Sequence, residues 1–329
     1  MDRRNFLCNA ASCSAHILSM AAFAPSSMRN VFAVQEQEKV VAEEKWGRLI
    51  EVHEGVWALV STPFGAKGDS TTVCNGGIIQ GKTGVVAVES FMRPKGAKWV
   101  AEKAKELTGK WPTEVVSTHY HSDHSAGHLG YFPDDLAEKM QPRMWLTEAT
   151  KTAAEKSFKQ RKMENNQFKN VETIDAEKGA TIDLGDRKIK LTPRSGHTAS
   201  DVTIEVVDPK IVFAGDLFFN RMFPNYVDAT PSRLNAYVQG IVEAEDVIYV
   251  PGHGPVADAA AVKSYKAFLS WVESKAREGH KAKQDIETAT KDFKMDERFK
   301  DWLVWSPRNV TNAYKAWYRE LDAIEKESK

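Results

Sequence analysis

The stretch from Thr118 to His128, which reads THYHSDHSAGH, carries four of the nine histidines of this 329-residue chain. Three of these histidines and Asp123 form the pattern His-x-His-x-Asp-His. A short apolar strand is predicted just before it, from Glu114 to Ser117, so a loop at the end of that strand can aim three imidazoles and a carboxylate into one space. Imidazole nitrogen and carboxylate oxygen are donors that Zn²⁺ and similar cations prefer. Because packing does not explain such a cluster, the pattern predicts a metal site.

Three later segments place further ligand-type side chains beside glycine. His197 follows Gly196 in a predicted turn between strands, Asp216 follows a strand predicted over 211–214, and His253 follows one predicted over 247–250. Glycine allows the tight backbone turns that such positions need. Each segment alone is a weak signal, since an aspartate at the end of a strand is usually a cap or a turn residue. The four segments in this order together predict a single site.

The rest of the chain divides into two blocks that each begin with strands, near Leu49 and near Ala180, and continue with helices. This order predicts the α/β (α+β) class, with two sheets packed face to face and helices on the outside. We expect a signal peptide at 1–33, a linker at 34–47, the main domain at 48–279 and a helical C-terminal extension at 280–329.

Two segments leave an alternative open. The extension carries aromatic side chains that either line a binding groove or pack the extension against the main domain, and packing is favoured. The range 151–170 holds six basic and two acidic residues, which either attract an anion or form a solvated helix face, and the solvated face is favoured. The aromatic residues are Phe293, Phe299, Trp302, Trp305, Tyr314, Trp317 and Tyr318.

The N-terminus reads MDRRNFL and continues into an Ala-rich stretch from Ala10 to Ala24. The arginine pair before it resembles a twin-arginine export signal, with cleavage after Ala33, the alternative being an uncleaved helix of a cytoplasmic protein. The stretch is too short and too polar to span a bilayer permanently. We therefore predict an exported, periplasmic protein without stable membrane insertion. After cleavage only Cys74 remains, and we expect it to lie far from the ligand motifs and to have no catalytic role.

From about Leu49 to Arg277 the chain resembles the metallo-β-lactamase-fold superfamily, because the four motifs occur in the order found there. The resemblance implies an αββα sandwich with a binuclear metal site along one sheet edge. It also implies two Zn²⁺ ions per chain, although nitrogen and oxygen donors alone do not distinguish zinc from iron or manganese. The implied ligands are His119, His121 and His197 for the first metal and Asp123, His124 and His253 for the second, with Asp216 bridging.

Two positions near the motif need separate interpretation. Glu89 stands where the family commonly shows an aspartate, and we expect it to alter a supporting hydrogen bond while leaving the metal site intact. His128 lies outside the motif and is interpreted as a helix residue that could support a ligand.

Asp216 also narrows the branch of the family. The main β-lactamases of this fold have a cysteine or serine at the corresponding place, whereas an aspartate resembles the glyoxalase II and wider hydrolase branch. After it, Phe218 and Phe219 are expected to form an apolar wall, and Asn220 and Arg221 to orient substrate.

These features predict an exported binuclear-zinc hydrolase that cleaves an ester, thioester or lactone-type carbonyl bond by metal-bound hydroxide, with Asp123 as the catalytic residue that orients the water or accepts its proton. The alternatives are a β-lactamase, an iron-dependent oxidoreductase resembling persulfide dioxygenases and, ranked last because every ligand position is filled, a non-catalytic metal-binding module. The 45 basic and 45 acidic residues balance, which argues against a nucleic-acid partner. A small-molecule substrate is expected, and the oligomeric state is left open.

Overall fold

The computed structural model describes residues 38–62, 69–133, 137, 141–163, 167–291 and 293–327. The predicted signal peptide at 1–33 lies outside the described residues and stays a prediction. The chain from Val40 to Lys329 forms one compact unit. Among the described residues, no helix has both the length and the apolar character that crossing a membrane requires.

The first sheet has eight strands that lie in sequence order. Strands β2 to β5 pair antiparallel, and β5 to β8 pair parallel. Parallel neighbours need a crossover connection, and helix α1 supplies it between β5 and β6. The strands are β1 (Lys39–Glu44), β2 (Gly47–His53), β3 (Val56–Ser61), β4 (Gly76–Gln80), β5 (Val85–Val88), β6 (Glu114–Val116), β7 (Arg143–Leu146) and β8 (Val171–Thr173).

The second sheet has five strands in the order β13-β12-β11-β10-β9. Its pairs are antiparallel except for β12 and β13, which run parallel. Alternation in β10 turns Ile189 and Leu191 inward while the lysines beside them face solvent, as expected for a sheet with one buried face. The strands are β9 (Ala180–Asp183), β10 (Lys188–Arg194), β11 (Asp201–Val206), β12 (Ile211–Phe219) and β13 (Ile248–His253).

Helices cover the outer faces of both sheets. One apolar core lies between the sheets, a second joins the first sheet to α1 and α3, and a third joins the second sheet to the C-terminal helices. The predicted αββα sandwich with C-terminal helices is therefore confirmed. The helices are α1 (Pro94–Thr108), α2 (Ser122–Ser125), α3 (Glu148–Gln160), α4 (Pro231–Gln239), α5 (Ala259–Lys281), α6 (Ile286–Lys291) and α7 (Pro307–Glu327).

The predicted linker at 34–47 is wrong for the residues that form β1 and the start of β2. In β1 only Val41 and Ala42 are partly buried, and the other four residues are exposed. A polar strand at the edge of a sheet therefore has the composition of a linker, because only one neighbour covers it.

Strand β12 does not end at Ala214 as predicted but continues to Phe219. Its pairing with β13 is irregular on both sides of Gly215, which has a φ of +53°. A Cβ atom at Gly215 would lie 2.6 Å from Thr118 Oγ1, so glycine is what allows the histidine-rich loop to approach β12. Asp216 consequently projects from a distorted segment inside the strand.

The C-terminal extension packs against the second sheet, as the favoured interpretation of its aromatic residues predicts. Phe299, Trp302 and Trp317 are buried in the core that it shares with that sheet. The backbones of Phe223 and Leu303 also form a hydrogen bond that joins the extension to the loop after β12. Trp305 differs, because its ring lies 6.0 Å from that of His253. The extension thus both packs on the domain and reaches the predicted site.

Candidate metal centre

The four motif segments meet at one end of the sandwich, where the loops after β6 and β10 approach β12 and β13. All seven predicted ligands lie there in two groups, and the donor atoms of each group are within 4.8 Å of one another. The first group is His119, His121, His197 and Asp216, and the second is Asp123, His124 and His253.

In the first group three imidazole nitrogens converge. His121 Nδ1 lies 2.9 Å from His197 Nε2 and 3.1 Å from His119 Nε2. The carboxylate Oδ2 of Asp216 lies 3.2 Å from His197 Nε2 and 3.9 Å from His119 Nε2. Zn–N bonds of about 2.0–2.1 Å in a tetrahedral site hold the nitrogens about 3.3 Å apart. The spacing of these side chains therefore suits a divalent cation.

The second group faces the other oxygen of the same aspartate. Asp216 Oδ1 lies 3.1 Å from His124 Nε2 and 3.3 Å from His253 Nε2. Asp123 Oδ2 lies 3.4 Å from His253 Nε2 and 3.6 Å from His124 Nε2. Each oxygen of Asp216 thus faces one group of donors, which is the arrangement that a bridging carboxylate requires.

Unsatisfied polar atoms provide an independent test of this fit. His124 Nε2 and Asp216 Oδ1 are buried and lie 3.1 Å apart, but neither atom forms a hydrogen bond of acceptable geometry. A buried polar atom left unpaired costs about 1–3 kcal/mol. A cation between the groups satisfies both atoms, and the all-nitrogen-and-oxygen donor set suits zinc, iron or manganese. The residues present therefore fit a metal centre.

The charges in the centre favour the same conclusion. Burial lowers the pKa of His119 well below its ordinary value and that of His197 to about 3, so both rings are neutral at pH 7 and offer lone pairs. Burial also acts to lower the pKa of His253, but the carboxylates of Asp216 and Asp123 outweigh it and raise that pKa to about 9. The two carboxylates thus attract positive charge to the centre.

Glu89 contacts His124 of the second group on the side of the ring away from Asp216. Its Oε1 accepts a hydrogen bond of 2.6 Å from Thr118 Oγ1 and lies 3.0 Å from His124 Nδ1. Holding Nδ1 in this way turns Nε2 of His124 towards Asp216, as carboxylates behind metal-ligating histidines do. Glu89 therefore has the supporting position expected of it, and the longer side chain does not displace the donors.

Asp201 holds the turn that carries His197. Its carboxylate accepts hydrogen bonds from the backbone N–H groups of His197 and Thr198 and from the Thr198 hydroxyl. Burial raises the pKa of Asp201 more than its hydrogen bonds lower it, so that the net pKa is about 7. The motif did not reveal this residue, although an acidic side chain shortly after a turn is a common bonding partner of that turn.

The turn at the end of β13 is held from two sides. Asn75 Nδ2 donates to the backbone oxygens of Pro251 and Gly254, and Asn220 Nδ2 donates to the oxygen of Pro255. A Cβ atom at Gly252 would lie 2.1 Å from Asp216 Oδ1, so only glycine lets the turn pass this close to the bridging carboxylate.

His121 is oriented by a residue that the sequence did not indicate. Asp228, on the loop between β12 and α4, has its Oδ2 2.9 Å from His121 Nε2 and accepts a hydrogen bond from the Tyr120 hydroxyl. The hydrogen bond with His121 is the main cause that lowers the pKa of Asp228 to about 2. The carboxylate is thus ionised at neutral pH and keeps Nδ1 of His121 facing the centre.

We expect Asp228→Ala to weaken metal binding by about 10–100-fold, because the ring of His121 loses the group that sets its orientation. Competition with a chromogenic chelator measures the affinity. Tyr120→Phe is the matched control, since it removes the other hydrogen bond to the same carboxylate and should leave the affinity unchanged. Equal affinities for the Asp228→Ala and unaltered proteins would contradict the assignment.

Of the two phenylalanines predicted to form the substrate wall, Phe219 borders the cleft and Phe218 does not. Phe219 borders the cleft and stacks on His253 with ring centroids 5.0 Å apart. Phe218 is fully buried in the core beside Tyr265, so it cannot contact substrate. Strand alternation explains the difference, because neighbouring side chains of β12 point to opposite faces.

The two polar residues after Phe219 are also corrected. Asn220 is buried and serves the turn after His253, and Arg221 is exposed and does not line the cleft.

Cys74 lies closer to the centre than expected. Its thiol is fully buried and lies 2.8 Å from the backbone oxygen of Asp123, to which it donates. The expectation that it is far away is wrong because 49 residues of chain separate two positions that the fold makes adjacent. Burial raises the pKa of the thiol, so it is neutral at pH 7 and is no nucleophile.

His128 does not support a ligand directly. Its ring nitrogens lie 3.1 Å and 3.2 Å from the backbone oxygens of Ser125 and Gln167, and the ring stacks with Phe158. The residue therefore connects the motif loop to the outer helical layer.

The centre opens into a cleft of about 500 Å³. Phe219 and Trp305 form apolar walls near His253, and Val227 lies at the rim with about half of its surface exposed. Arg161 and Arg308 also line this space. The cleft is thus large enough for a small molecule whose one end reaches the metal ligands.

The family model described as the Metallo-beta-lactamase superfamily matches residues 70–253 of the chain. This range includes all seven candidate ligands and more than half of the chain.

Curated relatives belong to several hydrolase types. A metallo-beta-lactamase type 2 of Bacillus sp. (strain 170) is 23% identical over 71% of this chain and 87% of its own length. A hydroxyacylglutathione hydrolase of Mesorhizobium japonicum is 29% identical over 35% and 38%. The human acyl-coenzyme A thioesterase MBLAC2 is 27% identical over 46% and 59%. The names of these relatives describe hydrolases of different types.

Proposed function

We propose that this chain, which belongs to the metallo-beta-lactamase superfamily, is an exported metal-dependent hydrolase that uses two metal ions. The proposed hydrolase cleaves an ester, thioester or lactone-type carbonyl bond of a small molecule. The observation that supports two ions is the placement of Asp216, whose Oδ1 and Oδ2 face separate groups of histidines. Two of the three curated relatives described above are named as thioester-type hydrolases, which supports this substrate class.

The side chains of the cleft suit this chemistry. Divalent cations held by the seven donors would supply Lewis acidity and would lower the pKa of a bound water towards neutrality. Asp123 lines the cleft with 19% of its side chain exposed, so its carboxylate can orient a water molecule or accept a proton there. Phe219 and Trp305 bind the apolar part of the substrate and exclude bulk water. No serine or cysteine nucleophile is required.

Hydrolysis of a β-lactam is the second candidate. The relative from Bacillus sp., which matches over 71% of this chain, supports it. The aspartate at 216 opposes it, because an aspartate at this position resembles the wider hydrolase branch. An iron-dependent oxidoreductase remains the candidate of another class, since the same donors bind iron.

Metal analysis and a substrate panel test these candidates together. The mature protein, purified without chelator, is assayed with a chromogenic ester, thioester, lactone and nitrocefin. We expect about two zinc ions per chain and ester or thioester turnover that a chelator removes and zinc restores. Turnover of nitrocefin alone would favour the β-lactamase, and about one iron per chain without hydrolysis would overturn the hydrolase. His53→Ala, which removes an exposed histidine, is the control, and it should change neither the metal content nor the turnover.

Export rests on Arg3 and Arg4. We expect the unaltered protein in the periplasmic fraction and an Arg3→Lys, Arg4→Lys double variant in the cytoplasm. Periplasmic recovery of the double variant at the unaltered level would contradict the twin-arginine route.

A further inference from the structure

Two arginines reach the cleft from opposite sides of the molecule. Arg161 directly follows α3, which shares an apolar core with the first sheet, and Arg308 lies in the first turn of α7, which shares an apolar core with the second. Both line the same cleft as Asp123 and Asp216. The two outer helical layers therefore each contribute one guanidinium group to a space that has the metal ligands at its base.

Neither guanidinium group is engaged within the part of the chain that the structure describes: no ion pair, hydrogen bond or aromatic contact involves it. The acidic side chains of the cleft, in contrast, all face donors. Asp228 accepts from Tyr120 and lies against His121, and Asp123 and Asp216 face the histidines of the centre. The cleft thus holds two positive charges that its own carboxylates do not satisfy.

The position of Arg161 separates it from the other basic residues of its segment. Lys151 lies near Glu148, and Lys156 and Lys159 are on the same helix, but none of these lysines lines the cleft. The solvated-face interpretation of 151–170 therefore holds for these lysines, and the anion interpretation applies to Arg161 alone. Arg221, which was expected to orient substrate, lies elsewhere on the surface.

Apolar side chains lie in the same cleft as the two arginines and the centre. Phe219, Val227 and Trp305 provide a surface along which the body of a substrate can lie. A molecule with its carbonyl at the metal ligands can extend along that surface and place its far end near the guanidinium groups. Guanidinium binds carboxylate, phosphate and sulfate oxygens through charge-assisted hydrogen bonds.

We propose that Arg161 and Arg308 form an anion subsite at the mouth of the cleft, and that the substrate carries a carboxylate, phosphate or sulfate group remote from the bond that is cleaved. This inference rests on the proposed hydrolase function and adds to it the charge of the substrate. It assigns substrate recognition to α3 and to the C-terminal extension.

A pair of esters that differ only in charge tests the subsite. Mono-4-nitrophenyl glutarate has a free carboxylate, and its methyl ester does not. We expect Arg161→Gln and Arg308→Gln each to raise KM for the acid about two- to fivefold with kcat unchanged, as loss of one exposed charge-assisted contact would do. KM for the methyl ester should stay the same in every variant. Arg233→Gln, which removes an exposed arginine outside the cleft, is the matched control.

A binding measurement separates failure of the subsite from failure of the hydrolase. Calorimetric titration compares glutarate with butyrate, which lacks the second carboxylate, in the unaltered protein and the double variant. We expect the unaltered protein to bind glutarate more tightly and the double variant to bind the two acids equally. Equal binding by the unaltered protein, or no binding of either acid, would overturn the subsite whether or not the esters are hydrolysed.

Competition then identifies the anion. Stronger inhibition of acid-ester hydrolysis by glutarate than by butyrate, with little effect of inorganic phosphate or sulfate, supports a carboxylate. Stronger inhibition by phosphate or sulfate supports a phosphoryl or sulfuryl group, and both results require the two arginines. Equal inhibition of the double variant and the unaltered protein would contradict the subsite.

Discussion

An Asp216→Asn variant is expected to lose hydrolytic turnover by about a thousandfold or more while keeping its fold. Asparagine has nearly the same size as aspartate but offers only one oxygen and no charge. In the unaltered chain Oδ1 and Oδ2 face separate groups of histidines, so the variant can serve only one of them. Metal content should fall from about two ions to about one per chain, measured by elemental analysis beside the turnover.

Thermal unfolding checks that the Asp216→Asn variant is folded, and Asp183→Asn controls for the loss of an exposed carboxylate on β9. The control should keep both its metal and its turnover. An Asp216→Asn variant with two bound ions and full activity would show that the carboxylate does not bridge the groups.

Asp123→Ala is expected to abolish measurable turnover, a loss of about ten-thousandfold at the upper end of what a positioned acid–base group contributes. The residue lies on α2, and its carboxylate lies between the histidines of the second group and the open cleft. The substitution removes both a metal ligand and the group that orients the water or accepts its proton. Turnover and metal content are measured on the same preparation.

Asp123→Asn separates these two roles, because the amide oxygen can still bind a metal ion but cannot act as a base that accepts a proton. We expect it to bind more metal than Asp123→Ala and to remain inactive. Retained activity with normal metal content in Asp123→Ala would exclude a catalytic role for this residue.

The sequence was sufficient for the features that depend on local spacing. His119, His121, Asp123 and His124 stand within six positions, and a loop that begins at a buried strand must bring such neighbours together. The order of strands and helices likewise predicted two packed sheets, because each element buries one face. The same local reasoning failed at β1, whose residues are mostly exposed because it lies at the edge of its sheet.

Features that depend on long-range packing required the tertiary structure. Cys74 contacts the backbone of Asp123, and Asp228 orients His121 across 107 residues of chain. The C-terminal extension brings Trp305 and Arg308 to the cleft. None of these residues belongs to a local pattern, because their neighbours are set by how sheets, loops and outer helices pack.

The sequence by itself therefore determined the fold class and the set of donors for the metal centre. The tertiary structure decided which oxygen of Asp216 faces which group, that Phe219 and not Phe218 borders the cleft, and that Arg161 and Arg308 open into it. The physical reason is that donors to a metal are set by the chemistry of side chains at short spacing, whereas the shape and charge of a cleft arise where distant segments pack together.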